Sequence, residues 1–173
     1  MNKFLLTVAA LICGITMQAQ FGVKGGLNFS NFRGDASDDF NVVTNWHLGV
    51  VYESEITNFL SVQPELLYSV MGAEINDNKV KLGYFSVPVM LKIYPTEGFN
   101  IQLGPQFGML INESDNFKSF ESNTFDFGLA AGLEFFLTNN LFIQARYYSG
   151  SKKVSDNVDI KNTAVTASIG LMF

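Results

Sequence analysis

The stretch TNFLSVQPELLYS at Thr57–Ser69 has a close parallel later in the chain, TNNLFIQARYYS at Thr138–Ser149. Each stretch begins with Thr-Asn and then alternates apolar with polar residues. In the first stretch the apolar set is Leu60, Val62, Leu66 and Tyr68, and the polar set is Ser61, Gln63 and Glu65. Successive side chains of a β-strand point to opposite faces, so a period of two predicts a strand with one apolar and one polar face. The two stretches therefore predict the same hairpin twice.

The same alternation recurs along the chain and predicts eight strands. They cover Phe21–Phe29, Thr44–Ser54, Phe59–Met71, Val80–Tyr94, Phe99–Leu110, Thr124–Leu137, Leu141–Ser149 and Ile160–Phe173. The connections between them alternate long and short, which is typical of an even-stranded barrel through an outer membrane. The sheet must close, because an open edge would leave backbone groups unpaired in lipid. The sequence therefore predicts an all-β fold, an eight-stranded antiparallel up-and-down transmembrane β-barrel.

The composition favours lipid over water on the apolar face. Charged residues make up 16% of the chain and aromatic residues 14%, whereas charged residues usually reach about a quarter. Aromatic residues fall near the predicted strand ends, as in the girdles that meet lipid headgroups. They are Phe21, Tyr52, Phe99, Phe135 and Phe173 at the short turns, and Phe29, Trp46, Tyr68, Phe107, Phe125 and Tyr147 at the loops. A soluble lipocalin-like barrel would need Lys and Glu outside, but the other face offers mostly Gly, Ser, Gln and Asn.

The first residues have the pattern of a secretory signal peptide. A short basic start precedes the apolar run Phe4–Ile15 and then Ala19, the small residue before the expected cut. This predicts a signal peptide over residues 1–19 and a barrel domain over residues 20–173. The only cysteine, Cys13, lacks the small preceding residue of a lipoprotein signal and is removed with the signal peptide. The mature chain then has 10 basic and 16 acidic residues, a net charge of −6, which argues against nucleic acid as a partner.

Charged side chains of the polar face are predicted to fill the lumen. The predicted lumen charge network consists of Lys24, Glu53, Glu65, Lys92, Asp126, Glu134 and Arg146. Glu65 and Arg146 lie at similar height on strands that face each other, so we expect them to meet across the lumen. A second cluster is expected nearer the short turns, formed by Lys24, Lys92 and Glu134. Eight strands leave little free bore and buried charges need partners, so the network indicates a plug. The alternative is a narrow track for water or small ions.

Three prolines, Pro64, Pro88 and Pro105, fall inside predicted strands. Proline cannot donate to the hydrogen-bond ladder, and a closed barrel has no edge strand to hold it. We therefore expect a bulge or a local break at each proline.

Residues able to support catalysis are few. His47 is the only histidine, and a Ser-His-Asp arrangement would have to combine it with Ser30 or Ser37 and a loop aspartate. A polar residue at the rim of the barrel is the simpler interpretation of His47. No enzyme activity and no cofactor are predicted.

One loop is acidic. It carries Asp35, Asp38 and Asp39, whose carboxylates could attract a divalent cation that bridges lipid phosphates. A solvated acidic loop is the commoner explanation of such a cluster.

Five motif segments run through the predicted strands: Gly22–Ser30 (GVKGGLNFS), Gln63–Tyr68 (QPELLY), Ser86–Lys92 (SVPVMLK), Leu103–Gly108 (LGPQFG) and Arg146–Gly150 (RYYSG). Together they resemble the small outer-membrane β-barrel domain of Bacteroidetes that is often called PorT-like. The resemblance implies that the strand prolines are family features and that the terminal Phe173 is read by the barrel-insertion machinery. One namesake of the family serves protein secretion across the outer membrane. No catalytic residues carry over.

Three functions remain open from the sequence. The first is a non-enzymatic structural or interaction protein of the outer membrane, with both termini in the periplasm and its loops outside. Its expected partners are outer-membrane lipid and lipopolysaccharide, besides the insertion machinery. The second function is a narrow pore for water or small ions. The third is an accessory component of outer-membrane protein secretion.

Overall fold

A computed structural model describes residues 19–34, 40–75, 78–113, 124–155 and 158–173. The regular structure of these ranges consists of nine β-strands. They are β1 (Ala19–Gly34), β2 (Phe40–Asn41), β3 (Val43–Thr57), β4 (Leu60–Ile75), β5 (Asn78–Thr96), β6 (Phe99–Glu113), β7 (Phe125–Phe136), β8 (Leu141–Ser155) and β9 (Val158–Met172). In this described part of the chain, no helix is long and apolar enough to cross a membrane.

The eight long strands form a closed antiparallel barrel. Around the barrel they follow the order β4-β3-β1-β9-β8-β7-β6-β5, and pairing of β4 with β5 closes the ring. The two-residue strand β2 continues the line of β3 and pairs with the far end of β4. The prediction of an eight-stranded antiparallel barrel is therefore confirmed.

The two ends of the barrel differ in their connections. At the short-turn end, β3, β5 and β7 each join the next strand through a tight connection. Gly98 in one of these turns adopts a φ of +83°, a left-handed conformation that favours glycine. The opposite end, called the loop end below, carries the connections that contain residues 35–39, 76–77, 114–123 and 156–157.

The side-chain alternation places apolar residues outside and polar residues inside. Leu103, Leu129 and Ile169 are each more than half exposed on the outer wall, whereas Lys24, Gln63 and Glu65 are buried inside. Aromatic rings pair between strands at both ends of the outer wall. Phe21 lies 4.9 Å from Tyr52 at the short-turn end, and Trp46 lies 5.2 Å from Tyr68 at the loop end, measured between ring centroids. This outer surface has the apolar band and aromatic girdles of a membrane barrel.

The strands extend further at the loop end than the sequence predicted. The expected loop Gly72–Lys79 is largely strand, because Ile75 of β4 still pairs with Asn78 of β5. The expected loop Gly150–Asp159 is likewise mostly strand, because Ser155 pairs with Val158. Beyond the lipid, the outward residues no longer need to be apolar, so the alternation fades while the backbone ladder continues.

Each strand proline interrupts one ladder without changing the strand register. Between Val51 and Ser54, the residues of β3 that lie opposite Pro64 have no ladder partner on β4. The β4–β5 pairing skips Pro88 in the same way, and the β5–β6 pairing skips Pro105. The expected local break is confirmed at each proline. The register shifts lie elsewhere, at Glu55/Thr57, Gly83/Tyr84, Ile93/Thr96, Ser149/Lys153 and Lys153/Ser155.

Two predictions concern residues outside the described ranges. The signal peptide falls on residues 1–19, of which only residue 19 is described. The acidic loop residues Asp35, Asp38 and Asp39 also lie outside these ranges. Both stay predictions.

Candidate functional site in the barrel lumen

The centre of the lumen is a three-residue ion cluster around Glu65. The two terminal guanidinium nitrogens of Arg146 donate to the Glu65 carboxylate at 3.0 and 2.8 Å. Lys24 Nζ lies 2.8 Å from the same carboxylate, and Gln63 donates to it at 2.7 Å. The structure thus brings Glu65 and Arg146 together across the lumen, as their alignment predicted.

A second ion cluster lies around Lys92. Its ammonium group is 2.6 Å from Glu53 and 2.5 Å from Glu134, and it donates to Gln63 at 2.9 Å. The Tyr94 hydroxyl donates to the other oxygen of Glu53. Because Gln63 contacts both Lys92 and Glu65, it joins the two clusters.

The position expected for Lys24 was wrong. The sequence placed it with Lys92 and Glu134, but its ammonium group contacts Glu65 and donates to Gln144 at 2.9 Å. Strands in a barrel are staggered by its shear, so the distance in residues from a turn does not give the height in the lumen.

The two clusters form one neutral and enclosed network. It contains three carboxylates and three cations, and each of the six side chains belongs to a residue at most 7% exposed: Glu53, Glu65, Glu134, Lys24, Lys92 and Arg146. Glutamine side chains link them, since Gln144 donates to Glu134 at 2.8 Å and Arg146 donates to Gln102 at 2.8 Å. Every buried charge therefore has a partner of opposite sign, which offsets the cost of removing it from water.

Asp126 lies apart from this network, although the sequence assigned it there. It is buried nearer the loop end, where it accepts a hydrogen bond from Asn162 at 2.8 Å. Asn162 also contacts the Tyr84 hydroxyl, at 3.2 Å. Asp126 thus belongs to a small group of neutral partners above the ion clusters.

The half of the lumen nearer the loop end contains a cluster of buried apolar side chains that the sequence analysis missed. Its members are Phe32, Met71, Ala73, Leu82, Tyr84, Met90, Ala130, Tyr148, Val154, Ile160 and Ala164. Phe32 and Tyr148 continue the inward parity of Ser30 and Arg146, and that continued alternation is the signal in the sequence. Between the network and this cluster lies a cavity of about 20 Å³, room for a single water molecule.

His47 is a buried bridge between strands. Its Nδ1 lies 2.7 Å from Asn28 Oδ1, and its Nε2 lies 2.9 Å from Ser168 Oγ. The expected rim position is wrong, because the residue is only 4% exposed inside the wall. Ser30 contacts the backbone of Val43 and Gly72 instead of His47.

The Ser168–His47–Asn28 row has the order of a nucleophile, a base and an orienting group. All three residues are at most 7% exposed, and the row links β1, β3 and β9 by hydrogen bonds. Among the described residues, no cluster of three or more His, Cys, Asp or Glu side chains has a metal-binding arrangement.

The sequence matches the family model described as "Outer membrane protein beta-barrel domain" over residues 17–152. The chain belongs to this family. The match covers seven of the eight long strands in full or in large part, so the barrel is an outer-membrane barrel. No curated protein matches the chain by sequence.

Two solved structures show the same fold. Ail, the attachment invasion locus protein of Yersinia pestis, is 19% identical, with a TM-score of 0.57 over 91% of this chain and 100% of that chain. Neisserial surface protein A is 12% identical, with a TM-score of 0.61 over the same shares. At these identities the likeness extends to the fold alone.

Proposed function

We propose that this protein is a non-enzymatic, non-conducting outer-membrane barrel that acts as a rigid scaffold for an interaction surface at its loop end. The observation that carries the proposal is the presence of two groups of buried side chains at different heights in the lumen. The ion network lies nearer the short-turn end, and the apolar cluster lies nearer the loop end. The long hairpins β4–β5 and β8–β9 extend beyond these groups to the loop end.

Opening a path through the lumen would be costly. An ion would have to separate Glu65 from Arg146 and Lys24, and breaking a buried pair costs about 3–5 kcal/mol. The same ion would then have to pass between buried apolar side chains such as Phe32 and Tyr148, where nothing replaces its hydration. The geometry therefore favours a scaffold over a pore.

Conductance of the purified barrel in a planar lipid bilayer tests this proposal. The wild-type protein is expected to give no stepwise current. The Glu65→Ala variant tests the network, and Glu97→Ala, at an exposed turn position, is its matched control. Steady wild-type steps that Glu65→Ala changes and Glu97→Ala leaves unchanged would establish the narrow pore instead.

The proposed orientation places both termini in the periplasm and the loop end outside the cell. It is supported by the short turns, which lie at the end where β1 begins and β9 ends. Cysteines introduced at Lys152 and Thr96, exposed near opposite ends, would report it through a membrane-impermeant maleimide. Labelling of Lys152→Cys in intact cells, with Thr96→Cys labelled only after permeabilisation, is expected. The reverse labelling pattern would show that the barrel has the opposite orientation in the membrane.

A second candidate is an accessory role in outer-membrane protein secretion, as the PorT-like resemblance implies. It is favoured by a cavity of about 720 Å³ at the short-turn end, whose lining includes Glu53, Glu55 and Glu97. A photo-crosslinking residue at Glu97 would capture a partner there, whereas one at Lys152 would capture a partner at the loop end. Cross-links to an envelope protein from Glu97 alone would favour secretion over the external scaffold.

A further inference from the structure

Three basic residues form a row across neighbouring strands of the outer wall at the loop end. Arg33 of β1 is the cross-strand partner of Lys161 of β9, and Lys161 is also the cross-strand partner of Lys153 of β8. The adjoining residues Phe32 and Asn162 are buried in the lumen, so the alternation of the strands directs Arg33 and Lys161 outward. Lys153 is engaged in another interaction, and the site described below does not use it.

Arg33 and Lys161 bring two positive charges together on the outer face. Directly opposed residues of antiparallel strands have Cβ atoms about 4.5–5.5 Å apart, and like charges in this arrangement are destabilising. Arg33 is exposed and Lys161 is half-buried. Within the described ranges, neither side chain takes part in an ion pair. An anion bound between the two side chains would replace their repulsion by attraction.

The neighbouring outward residues of β9 indicate the depth of this pair. From Lys161 towards the middle of the strand they are Thr163 and then Val165. Val165 is the cross-strand partner of Tyr147, a residue of the loop-end girdle whose hydroxyl accepts a hydrogen bond from Thr163 Oγ1 at 3.3 Å. Aromatic girdles lie where the apolar band meets the lipid headgroups. The next outward position along β9 is Lys161, so the pair lies beside the headgroups.

We propose that Arg33 and Lys161 bind the phosphomonoester of a membrane-lipid head group in the leaflet at the loop end. A phosphomonoester carries a charge of about −1.5 to −2 at neutral pH and three acceptor oxygens, which match the two cations. The Arg33 guanidinium presents a planar fork to two of these oxygens, and Lys161 supplies a point charge. A phosphodiester has a single negative charge and is the weaker ligand. The site depends neither on a closed lumen nor on the orientation of the barrel, which sets only the leaflet.

Unfolding of the protein from lipid vesicles measures this binding, because a ligand that binds only the folded state stabilises it. The purified protein is refolded into vesicles of phosphatidylcholine alone, or of phosphatidylcholine with either phosphatidic acid or phosphatidylglycerol. Phosphatidic acid is a phosphomonoester and phosphatidylglycerol a phosphodiester, and the two are mixed to equal surface charge. The unfolding constant in urea is expected to be about tenfold lower with phosphatidic acid than with phosphatidylglycerol, because charge-assisted hydrogen bonds are gained.

Arg33→Gln and Lys161→Gln test the two cations separately. Each variant is expected to lose most of the difference between phosphatidic acid and phosphatidylglycerol. In phosphatidylcholine alone, each should be at least as stable as the wild type, because the repulsion between the two cations is gone. A purely structural role of either side chain would instead lower stability in every vesicle. The matched control is Lys81→Gln, an exposed position at the same end on β5, on the far side of the ring from β9, which should keep the full difference.

The proposal is wrong if the wild type unfolds equally in the two anionic vesicles, if either glutamine variant of the pair keeps the full difference, or if Lys81→Gln loses as much. A last arm adds inorganic phosphate to the wild type in phosphatidylcholine vesicles, and no comparable stabilisation is expected. Stabilisation equal to that by phosphatidic acid would show that the ligand is free phosphate and not a lipid head group. None of these outcomes bears on conductance, so failure here and failure of the proposed scaffold role are distinguishable.

Discussion

Glu65 is the residue on which the stability of the ion network in the lumen depends. It accepts hydrogen bonds from Arg146 and Gln63 and faces Lys24. Glu65→Ala would leave two buried cations without their carboxylate, and breaking a buried ion pair in this way costs about 3–5 kcal/mol. We expect the free energy of unfolding to fall by that amount, as measured by denaturant titration of the refolded barrel in micelles.

The control for Glu65→Ala is Glu97→Ala at an exposed turn position, which is expected to change the free energy of unfolding very little. Replacing Glu65, Lys24 and Arg146 together by methionine removes the charges as a set. Because an apolar replacement of a buried ion cluster is often neutral or stabilising, the triple variant should regain stability. An equally unstable triple variant would contradict this account of the network.

His47 is a second residue with a specific structural role. His47→Ala removes the partner of Asn28 Oδ1 and Ser168 Oγ, and leaving buried polar groups unpaired costs about 1–3 kcal/mol. The same denaturant titration should record a loss of that size. Because Asn28, the contact of His47 Nδ1, also donates to the carbonyl oxygen of Trp46, the emission of Trp46 should change as well.

The catalytic interpretation of His47 has its own measurement. Purified barrel is incubated with phospholipid vesicles, and released fatty acid is quantified for the wild type, His47→Ala and Ser168→Ala. Equal, background release from all three proteins is expected, because the row is buried. Release by the wild type that both variants lose would assign a lipid hydrolase.

Whether a lumen contact could be predicted from the sequence depends on the position of each residue. Glu65 and Arg146 occupy equivalent places after equivalent turns on opposite strands, so their meeting could be read from the sequence. Lys24 has no such counterpart, and the stagger of its strand decided its partner. Ser168 as the partner of His47 carried no sequence signal, since the two residues are distant in the chain and meet only after closure of β1 against β9.

At the scale of the strands, the residue type that each position of the outer wall tolerates depends on the depth of that position in the lipid. Leu103 is 58% exposed midway between Phe99 and Phe107 of β6, whereas Met109 is 50% exposed nearer the loop end. Arginine on the lipid face of a barrel costs about 2–4 kcal/mol at the midplane and about 0–1 kcal/mol near the interface. In lipid vesicles, Leu103→Arg should therefore destabilise the barrel clearly more than Met109→Arg.

Equal destabilisation by the two arginine variants would show that β6 does not cross the membrane at the depth assigned here. Both positions lie on one strand and one face, so differences in secondary structure do not confound the comparison. A repeat in detergent micelles, which impose no fixed midplane, should reduce the difference between the two variants.

The central parts of the strands were predictable because lipid imposes an apolar outward face there, and Leu103 and Leu129 show that alternation. The extensions at the loop end were not, because residues such as Arg33 and Lys153 lie on the outer face there. Their strands therefore read as polar loops. The apolar cluster was missed together with these extensions, because Phe32 and Val154 belong to them.

At the scale of the whole molecule, the barrel closes where β1 meets β9. The amide of Phe173 donates to the Phe21 carbonyl at 2.7 Å, and Asn140 donates to the carbonyl of Met172 at 2.8 Å. These contacts use the backbone of the last residues. The Phe173 ring remains 69% exposed, so the closure hydrogen bonds do not require it.

The closure hydrogen bonds use the backbone of Phe173 and not its ring. A variant that removes the ring can therefore distinguish recognition by the insertion machinery from a role in stability. Phe173→Ser keeps the amide hydrogen bond and removes a ring that is mostly exposed. Its effect on the refolded barrel in micelles is expected to be less than about 1 kcal/mol, because little apolar area is lost. In cells, by contrast, the variant should accumulate unfolded, measured as loss of the compact band of unboiled samples on detergent gels.

The matched control is Phe21→Ser. Phe21 lies at the same end of the barrel and its side chain is 63% exposed, but it is not terminal. Assembly in cells should be close to wild type for Phe21→Ser and strongly reduced for Phe173→Ser, although both lose a comparable ring. Equal assembly of the two variants in cells would show that the terminal aromatic ring is not a recognition signal. If Phe173→Ser instead lost as much stability in micelles as it lost assembly in cells, Phe173 would have a purely structural role at the closure of the barrel.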